Sequence, residues 1–272
     1  MKSLITVLKE QFSSFYLINR LALFEIRIKN SDNYLGMLWE IINPLIQISV
    51  YWFVFGFGIR SNRGMEVGDI TVPFIFWMLA GITMWFFVNQ ATMDATKSIY
   101  QRINIIAKMN FPMSAIPSYI ILSKFYPNLL LFMIIGVIFQ FGGFPISIYY
   151  LQIPYYMICG IALVFSFTLI TSTLATIVRD VVMMVQSLMR ILFYISGILW
   201  AIDGLPEPIQ SIIKLNPLLY IAEGYRSAFL STGWYLVDHF TYTLYFWGLI
   251  FVFLLIGSIL HVKFRSRFVD FL

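Results

Sequence analysis

The chain has 272 residues, of which 60% are hydrophobic, 18% aromatic and only 11% charged. A soluble domain carries about 25% charged residues, so this composition excludes an ordinary water-soluble fold and points to an all-α polytopic membrane protein. The net charge of +5 would admit a nucleic-acid partner, but the placement of the basic residues accounts for it otherwise, as a topology signal. One cysteine, Cys159, excludes a disulfide within the chain and reads as a small buried hydrophobe.

Residues 1–40 mix charges with apolar side chains. Lys9, Glu10, Arg20, Glu25, Arg27 and Lys29 leave no uncharged core that would serve as a secretory signal. From Phe15 to Asn30 the pattern is that of an amphipathic helix lying in the cytoplasmic interface, and Asn33-Tyr34-Leu35-Gly36 breaks it. Ile41–Ile59 is free of charge between Glu40 and Arg60 and is long enough for a first span, with Pro44 tolerated in its first turn. After a short loop, Ile70–Met93 makes a second span. The third runs from about Ile116 to Phe141 and stops at the turn signal Gly142-Gly143-Phe144-Pro145. The fourth runs from about Pro154 to Val178, the fifth from Met183 to Ile202 and the sixth from Phe240 to Leu260. Between the last two, Pro206-Glu207-Pro208 can start one short helix and Asn216-Pro217 a second, through about Leu230. Their composition suits re-entrant segments packed within protein. One membrane domain thus covers residues 1–272.

The stretch SIYQRINIIAKMNFPMSAIP, Ser98 to Pro117, separates spans two and three. Ile99, Ile103, Ile106 and Ala107 fall at i, i+4, i+7 and i+8, one face of a short helix, with Gln101, Arg102 and Lys108 away from it. Such a helix either lies on the bilayer or docks into a partner protein. Docking is the reading taken here, with the chain as a transport channel driven through this loop. Counting Lys and Arg sets the orientation. With the N-terminus inside, Arg60, Arg63, Lys214 and Arg226 are outside and Lys124 lies within a span. The other 13 of the 18 basic residues are inside, so both termini are expected in the cytoplasm.

No phosphate-cradling GxxxxGK[ST] or GxGxxG sequence occurs, so ATP-driven work would need a second polypeptide. His239 and His261 stand without a Cys or carboxylate cluster at ligand spacing, and neither a metal site nor a catalytic triad is expected. Two cations sit inside spans, Lys124 and Arg190. They either snorkel to the inner interface or line an inner vestibule that attracts an anionic substrate. Aromatics crowd span one (Trp52 and Phe55 among them) and span five (Tyr194 and Trp200). A conduit for a sugar polymer would use such flat faces, as would simple lipid packing.

NYLGMLWEIINPLIQ (Asn33–Gln47), RINIIAKMNFPMSAIP (Arg102–Pro117), the Arg179-Asp180 pair, LNPLLYIAEGYRSAF (Leu215–Phe229) and the basic C-terminus together resemble the type-2 ABC exporter permeases of the polysaccharide and polyol-phosphate export branch. The resemblance extends over nearly the whole chain, and YWFVFGFGIR and LSKFYP look most like the wall teichoic acid exporters of Gram-positive bacteria. It implies a half-transporter of a bacterial plasma membrane: a homodimer with spans one and five of facing subunits at the interface, and two ABC ATPase subunits beneath that hold ATP and Mg. It maps a coupling helix onto Ser98, Ile99, Arg102, Ile103, Ile106 and Lys108, with Arg179 and Asp180 as further contacts. It also implies a lipid-linked anionic polymer as substrate, with Trp52, Phe55, Lys124, Arg190, Tyr194 and Trp200 along its path. Glu223 and Arg226, one turn apart on the second outer helix, would pair as a gate element or as a solvated surface pair. An exporter of the same fold for another polysaccharide, a lipid or a drug is the alternative. A membrane-embedded transferase fits less well, because acidic residues are scarce in the spans.

Overall fold

Five stretches fold as helices long and apolar enough to cross a bilayer in a computed structural model that describes residues 2–29, 31, 33–59, 64–67, 70–106, 111–202, 204–266 and 268. Two helices precede them, α1 (Lys2–Ser13) and α2 (Phe15–Lys29). Only α2 is legible as the amphipathic segment of the sequence. Val7, Ile18 and Ala22 face the protein, while Phe12, Phe15, Tyr16 and Phe24 are exposed, as an interfacial helix requires. Polar side chains pin both to the bundle. Gln11 Nε2 donates to the Ser114 carbonyl at 3.0 Å, Tyr126 Oη to Asn19 Oδ1 at 2.5 Å, and Arg265 Nη1 reaches Glu10 Oε1 at 2.7 Å.

Span one is α3 (Trp39–Tyr51), which widens into π-helical turns over Trp52–Ile59. The expected start of span two at Ile70 is corrected. Ile70–Val72 pairs antiparallel with Met65–Val67, Met65 opposite Val72, and the helix begins at Phe74 after Pro73. This helix, α4 (Phe74–Ile106), is the central post of the bundle. Of its membrane window 72% is buried, against 17% for the first span. Against it pack α5 (Ala115–Phe141) and α6 (Ile153–Ile177), and α11 (Phe240–Phe264) packs on α6. The turn expected after α5 is a Schellman closure. Gly143 takes φ 86°, the Phe144 amide reaches the Phe139 carbonyl at 3.0 Å, and the two rings pack at 5.8 Å.

The fifth expected span differs from its prediction. Helix α7 (Val181–Ile195) has 15 residues, about 22 Å of helix against a hydrocarbon core of about 30 Å. Gly197 turns the chain at φ 64°, and Ile198, Leu199 and Ile202 fold inward, all buried. Apolar residues 196–202 are therefore a core turn rather than the last turns of a span. The two short helices follow as expected, α8 (Glu207–Ile213) and α9 (Pro217–Leu230). Asn216 caps α9 by accepting the Leu218 amide at 3.0 Å, with Pro217 in the first turn. A single turn, α10 (Tyr235–Asp238), leads into α11.

Helix α9 is enclosed by the spans, which the re-entrant reading demands of a backbone interrupted at membrane depth. Its Gly224 lies where any side chain would meet the Tyr156 ring, 2.2 Å from an added Cβ. That ring is itself hemmed in by Tyr155, Tyr220 and Tyr225 at 5.0, 5.7 and 5.9 Å. Gly224→Ala should therefore cost about 1–3 kcal/mol through overpacking. A lowered unfolding temperature in detergent would register this cost, and an unchanged one would contradict the close approach.

Candidate functional site

The C-terminal end of α4 carries the segment singled out for docking. It is not a separate helix: α4 runs unbroken through Ile106 for 33 residues, a rod of about 50 Å. Two expected contact residues are corrected. Ser98 and Ile99 are fully buried, Ser98 Oγ donating to the Ala95 carbonyl at 2.7 Å, so neither offers a face to a partner. The apolar stripe that begins at Ile99 turns into the bundle there. Arg102 is half-buried and ion-paired with Glu25 of α2, which links the interfacial helix to the rod's end. The side chains of Ile103 and Ile106, and all of Lys108, lie outside the described residues. Arg179 and Asp180 form an exposed turn between α6 and α7.

Lys124 neither snorkels nor lines an open vestibule. It is 5% exposed and binds Asp94 of α4 at 2.8 Å, while Lys97 holds the other Asp94 oxygen at 3.0 Å. The cation expected to attract an anion is already neutralised, and Asp94 is the partner that sequence reasoning missed. It sits one residue beyond the expected end of span two, so it read as an interfacial charge. Nearby, Lys29 at the end of α2 binds Glu40 at the start of span one at 2.6 Å. Burial opposes the Lys29 charge, yet the Glu40 carboxylate outweighs it and holds the lysine above its ordinary pKa.

Arg190 is different. Helix α7 buries Val185, Met189 and Phe193 against the bundle and leaves Gln186, Arg190 and Tyr194 exposed at i, i+4 and i+8. A guanidinium facing hydrocarbon costs roughly 2.5–3.5 kcal/mol on insertion scales, so this strip belongs against water or protein. Phe193 ties α7 to span one and to α4, its ring packing at a tilt 5.4 Å from Tyr51 and 4.8 Å from Trp85. Trp200 does not line the strip as an independent face. Its Nε1 donates to the Tyr194 carbonyl at 2.7 Å and closes the last turn of α7. On span one, Trp52 and Phe55 are half-buried, and their neighbours Phe53 and Phe57 are exposed. The wide π turns rotate the later positions away from the face a regular helix would give them.

Glu223 and Arg226 do pair, at 2.5 Å, but not as a solvated surface pair. Arg226 is 2% exposed. Its Nη2 donates to the carbonyls of Gly197 and Ile198 at 2.8 and 3.0 Å, and its Nε reaches the Trp77 carbonyl at 3.4 Å. The guanidinium lies 3.4 Å from the Trp77 ring centre. Gly81 makes room, since a Cβ there would sit 2.7 Å from Nη2. The end of α7, the middle of α9 and the N-terminal part of α4 are thus joined through one side chain. A groove of about 390 Å³ lies on the other flank of α7, and among the described residues no cluster has the makings of a metal site.

The Asp94–Lys124 pair makes a direct prediction. Asp94→Asn leaves a buried ammonium without its counter-charge and should destabilise the chain by about 3–5 kcal/mol, while adding Lys124→Met should recover most of that loss. Unfolding of the two variants in detergent checks it, and equal stability of single and double variants would contradict the pairing.

A family model described as ABC-2 type transporter matches residues 17–230. The chain is 26% identical over 269 residues to an O-antigen export system permease protein RfbA of Klebsiella pneumoniae, covering 97% of this chain and 99% of that one. It is 22% identical over 232 residues to the RfbA permease of Myxococcus xanthus, covering 83% and 85%. The matched region contains α4, the α7 strip and the Arg226 junction. On this match and the helical membrane architecture, the chain belongs to the ABC-2 type transporter family.

Proposed function

We propose that this chain is the membrane half of an ATP-driven exporter that passes a lipid-linked, anionic surface polymer of the wall teichoic acid type out of a bacterial cytoplasm. The observation that carries the reading is the exposed strip Gln186, Arg190 and Tyr194. It offers an amide, a cation and an aromatic face in line, the groups that bind sugars and phosphates in a passing chain. A membrane helix cannot leave that strip in lipid, so a second copy supplies the facing wall. The scant burial of span one, 17%, is consistent with the same partner. Two ATPase subunits bearing ATP and Mg dock at the end of α4 and at the Arg179-Asp180 turn. The distribution of basic residues supports both termini in the cytoplasm and α8–α9 on the outer side.

The names of the relatives favour a second cargo, an O-antigen polysaccharide. The Arg190 cation favours the phosphate-bearing polymer. Depleting the chain in its host should cause the lipid-linked polymer to accumulate inside, and its phosphate content separates the two cargoes. Normal surface polymer in depleted cells would contradict both.

Arg190→Gln and Tyr194→Ala should each slow export on the order of tenfold while leaving assembly with the ATPase intact, measured as polymer delivered by reconstituted vesicles. Wild-type rates in both would remove the strip from the path. At the coupling end, Arg102→Glu should uncouple ATP hydrolysis from transport by breaking its pair with Glu25, and Glu25→Arg added to it should restore coupling. Unchanged coupling in Arg102→Glu would contradict the link between α2 and the rod.

A further inference from the structure

The break Asn33-Tyr34-Leu35-Gly36 between the interfacial helix and span one does more than end α2. The Gly36 amide donates to the Asn33 carbonyl at 2.9 Å, with Gly36 at φ 49°, a value that suits glycine. One short helical turn, Gly36–Leu38, then leads into Trp39 and Glu40 at the start of span one. The turn brings Asn33 and the end of α2 to the base of that span. A polar cavity of about 260 Å³ results, walled by Lys29, Asn33, Trp39, Glu40, Asn43 and, from α4, Gln90. Glu40, Asn43 and Gln90 belong to stretches long and apolar enough to cross a membrane. Polar groups in such places are costly unless they are put to use.

The groups on the wall fit one ligand chemistry. The Glu40 side chain is only 8% exposed, and Lys29 Nζ takes its Oε1 at 2.6 Å. Its Oε2 keeps accessible surface and has no partner among the described residues. The Asn43 and Gln90 side chains are exposed and likewise make no hydrogen bond to protein among the described residues. Each amide offers donors and an acceptor, and the carboxylate only accepts. Hydroxyl groups, which donate and accept at once, satisfy this set. Trp39, exposed beside them, supplies an aromatic ring for the apolar C–H surface of a sugar. An anion fits poorly, because Lys29 is already neutralised and the open Glu40 oxygen would repel it. An apolar molecule would leave the amides and the carboxylate without bonds. The volume lies below the roughly 300–1,000 Å³ of drug-sized sites and suits a single sugar unit.

We propose that this cavity is a recognition subsite for one neutral sugar unit of the exported polymer. Glu40 Oε2 and the Asn43 and Gln90 amides take its hydroxyl groups, and Lys29 fixes Glu40 through the other oxygen. The proposal rests on the reading of the chain as an exporter of a sugar-bearing polymer. It adds a second place, built from residues other than the Gln186–Arg190–Tyr194 strip, where the identity of the sugar is read.

The test uses the full chain in lipid nanodiscs and saturation-transfer NMR, which detects weak ligands without requiring export. The probes are the methyl glycosides of glucose, galactose, mannose and N-acetylglucosamine, with glycerol 3-phosphate as the anionic probe. At least one glycoside should receive saturation, more strongly than glycerol 3-phosphate. Asn43→Leu and Gln90→Leu should each reduce that signal about fivefold, and Glu40→Gln should reduce it as well. The two leucine variants place an apolar side chain at an exposed position of a span, so they leave folding intact. Saturation of glycerol 3-phosphate alone would make the cavity an anion site and overturn the proposal. Glycoside signals that none of the three variants moves would place the sugar contact elsewhere and overturn it, as would no glycoside signal at all. These failures leave the exporter reading standing, since accumulation of lipid-linked polymer in depleted cells decides that reading separately.

Discussion

A helix that stops inside a membrane leaves carbonyl groups with no water to take their hydrogen bonds, and each such group costs several kcal/mol. Helix α7 stops this way: Ser196 Oγ and Trp200 Nε1 take the Phe193 and Tyr194 carbonyls of its last turn, and Arg226 takes two carbonyls of the turn that follows. One guanidinium donates to the Gly197 and Ile198 carbonyls, lies on the Trp77 ring and balances its charge on Glu223. A lysine presents a point charge with three rotatable donors and cannot make the same planar set of contacts. The small residue opposite, Gly81, admits the group to the surface of α4. The short fifth helix and the outer helix α9 are in this way parts of one rigid piece mounted on the central post. The orientation of the Gln186–Arg190–Tyr194 strip depends on that mounting.

The half of the bundle that holds both termini is organised by charge in a complementary manner. Glu10 with Arg265, Glu25 with Arg102, and Lys29 with Glu40 tie α1 and α2 to the last helix, to the end of α4 and to the start of span one. Exposed pairs of this kind contribute little stability singly. Their value lies in connectivity, because they link the end of α4 through α2 to the base of span one. The Asp94–Lys124 pair is the buried member, locking α4 to α5 deeper in. Between the two ends, hydroxyl contacts such as Thr96 with Thr171 at 2.8 Å and Thr173 with His261 at 3.1 Å hold α4, α6 and α11 together.

Apolar length and turn chemistry made most of the fold legible. Gly142-Gly143, Asn216-Pro217 and Pro206-Glu207-Pro208 each act where their local preferences place them. What escaped was whatever depends on contact between distant segments. Hydropathy cannot separate the last turns of a span from a buried turn, so 196–202 read as membrane helix. It cannot report that Asp94 and Lys124, thirty positions apart, neutralise each other, or that Ser98 and Ile99 face inward. Arg226 read as half of a surface pair because the carbonyls it serves lie nearly thirty residues earlier. Arg190 was legible as a cation inside an apolar segment and Tyr194 as one of its aromatics, while the face they share with Gln186 emerges only from the folded helix.

Hydrogen exchange over residues 195–202 in Arg226→Lys, compared with the unaltered chain, tests the mounting most directly. The account predicts that the amides of this turn exchange at least about tenfold faster, since the substituted side chain releases carbonyls that hold the turn. The α4 amides around Trp77 should be unaffected. Exchange at the native rate in the 195–202 turn would contradict the claim that Arg226 joins α7, α9 and α4 into one body.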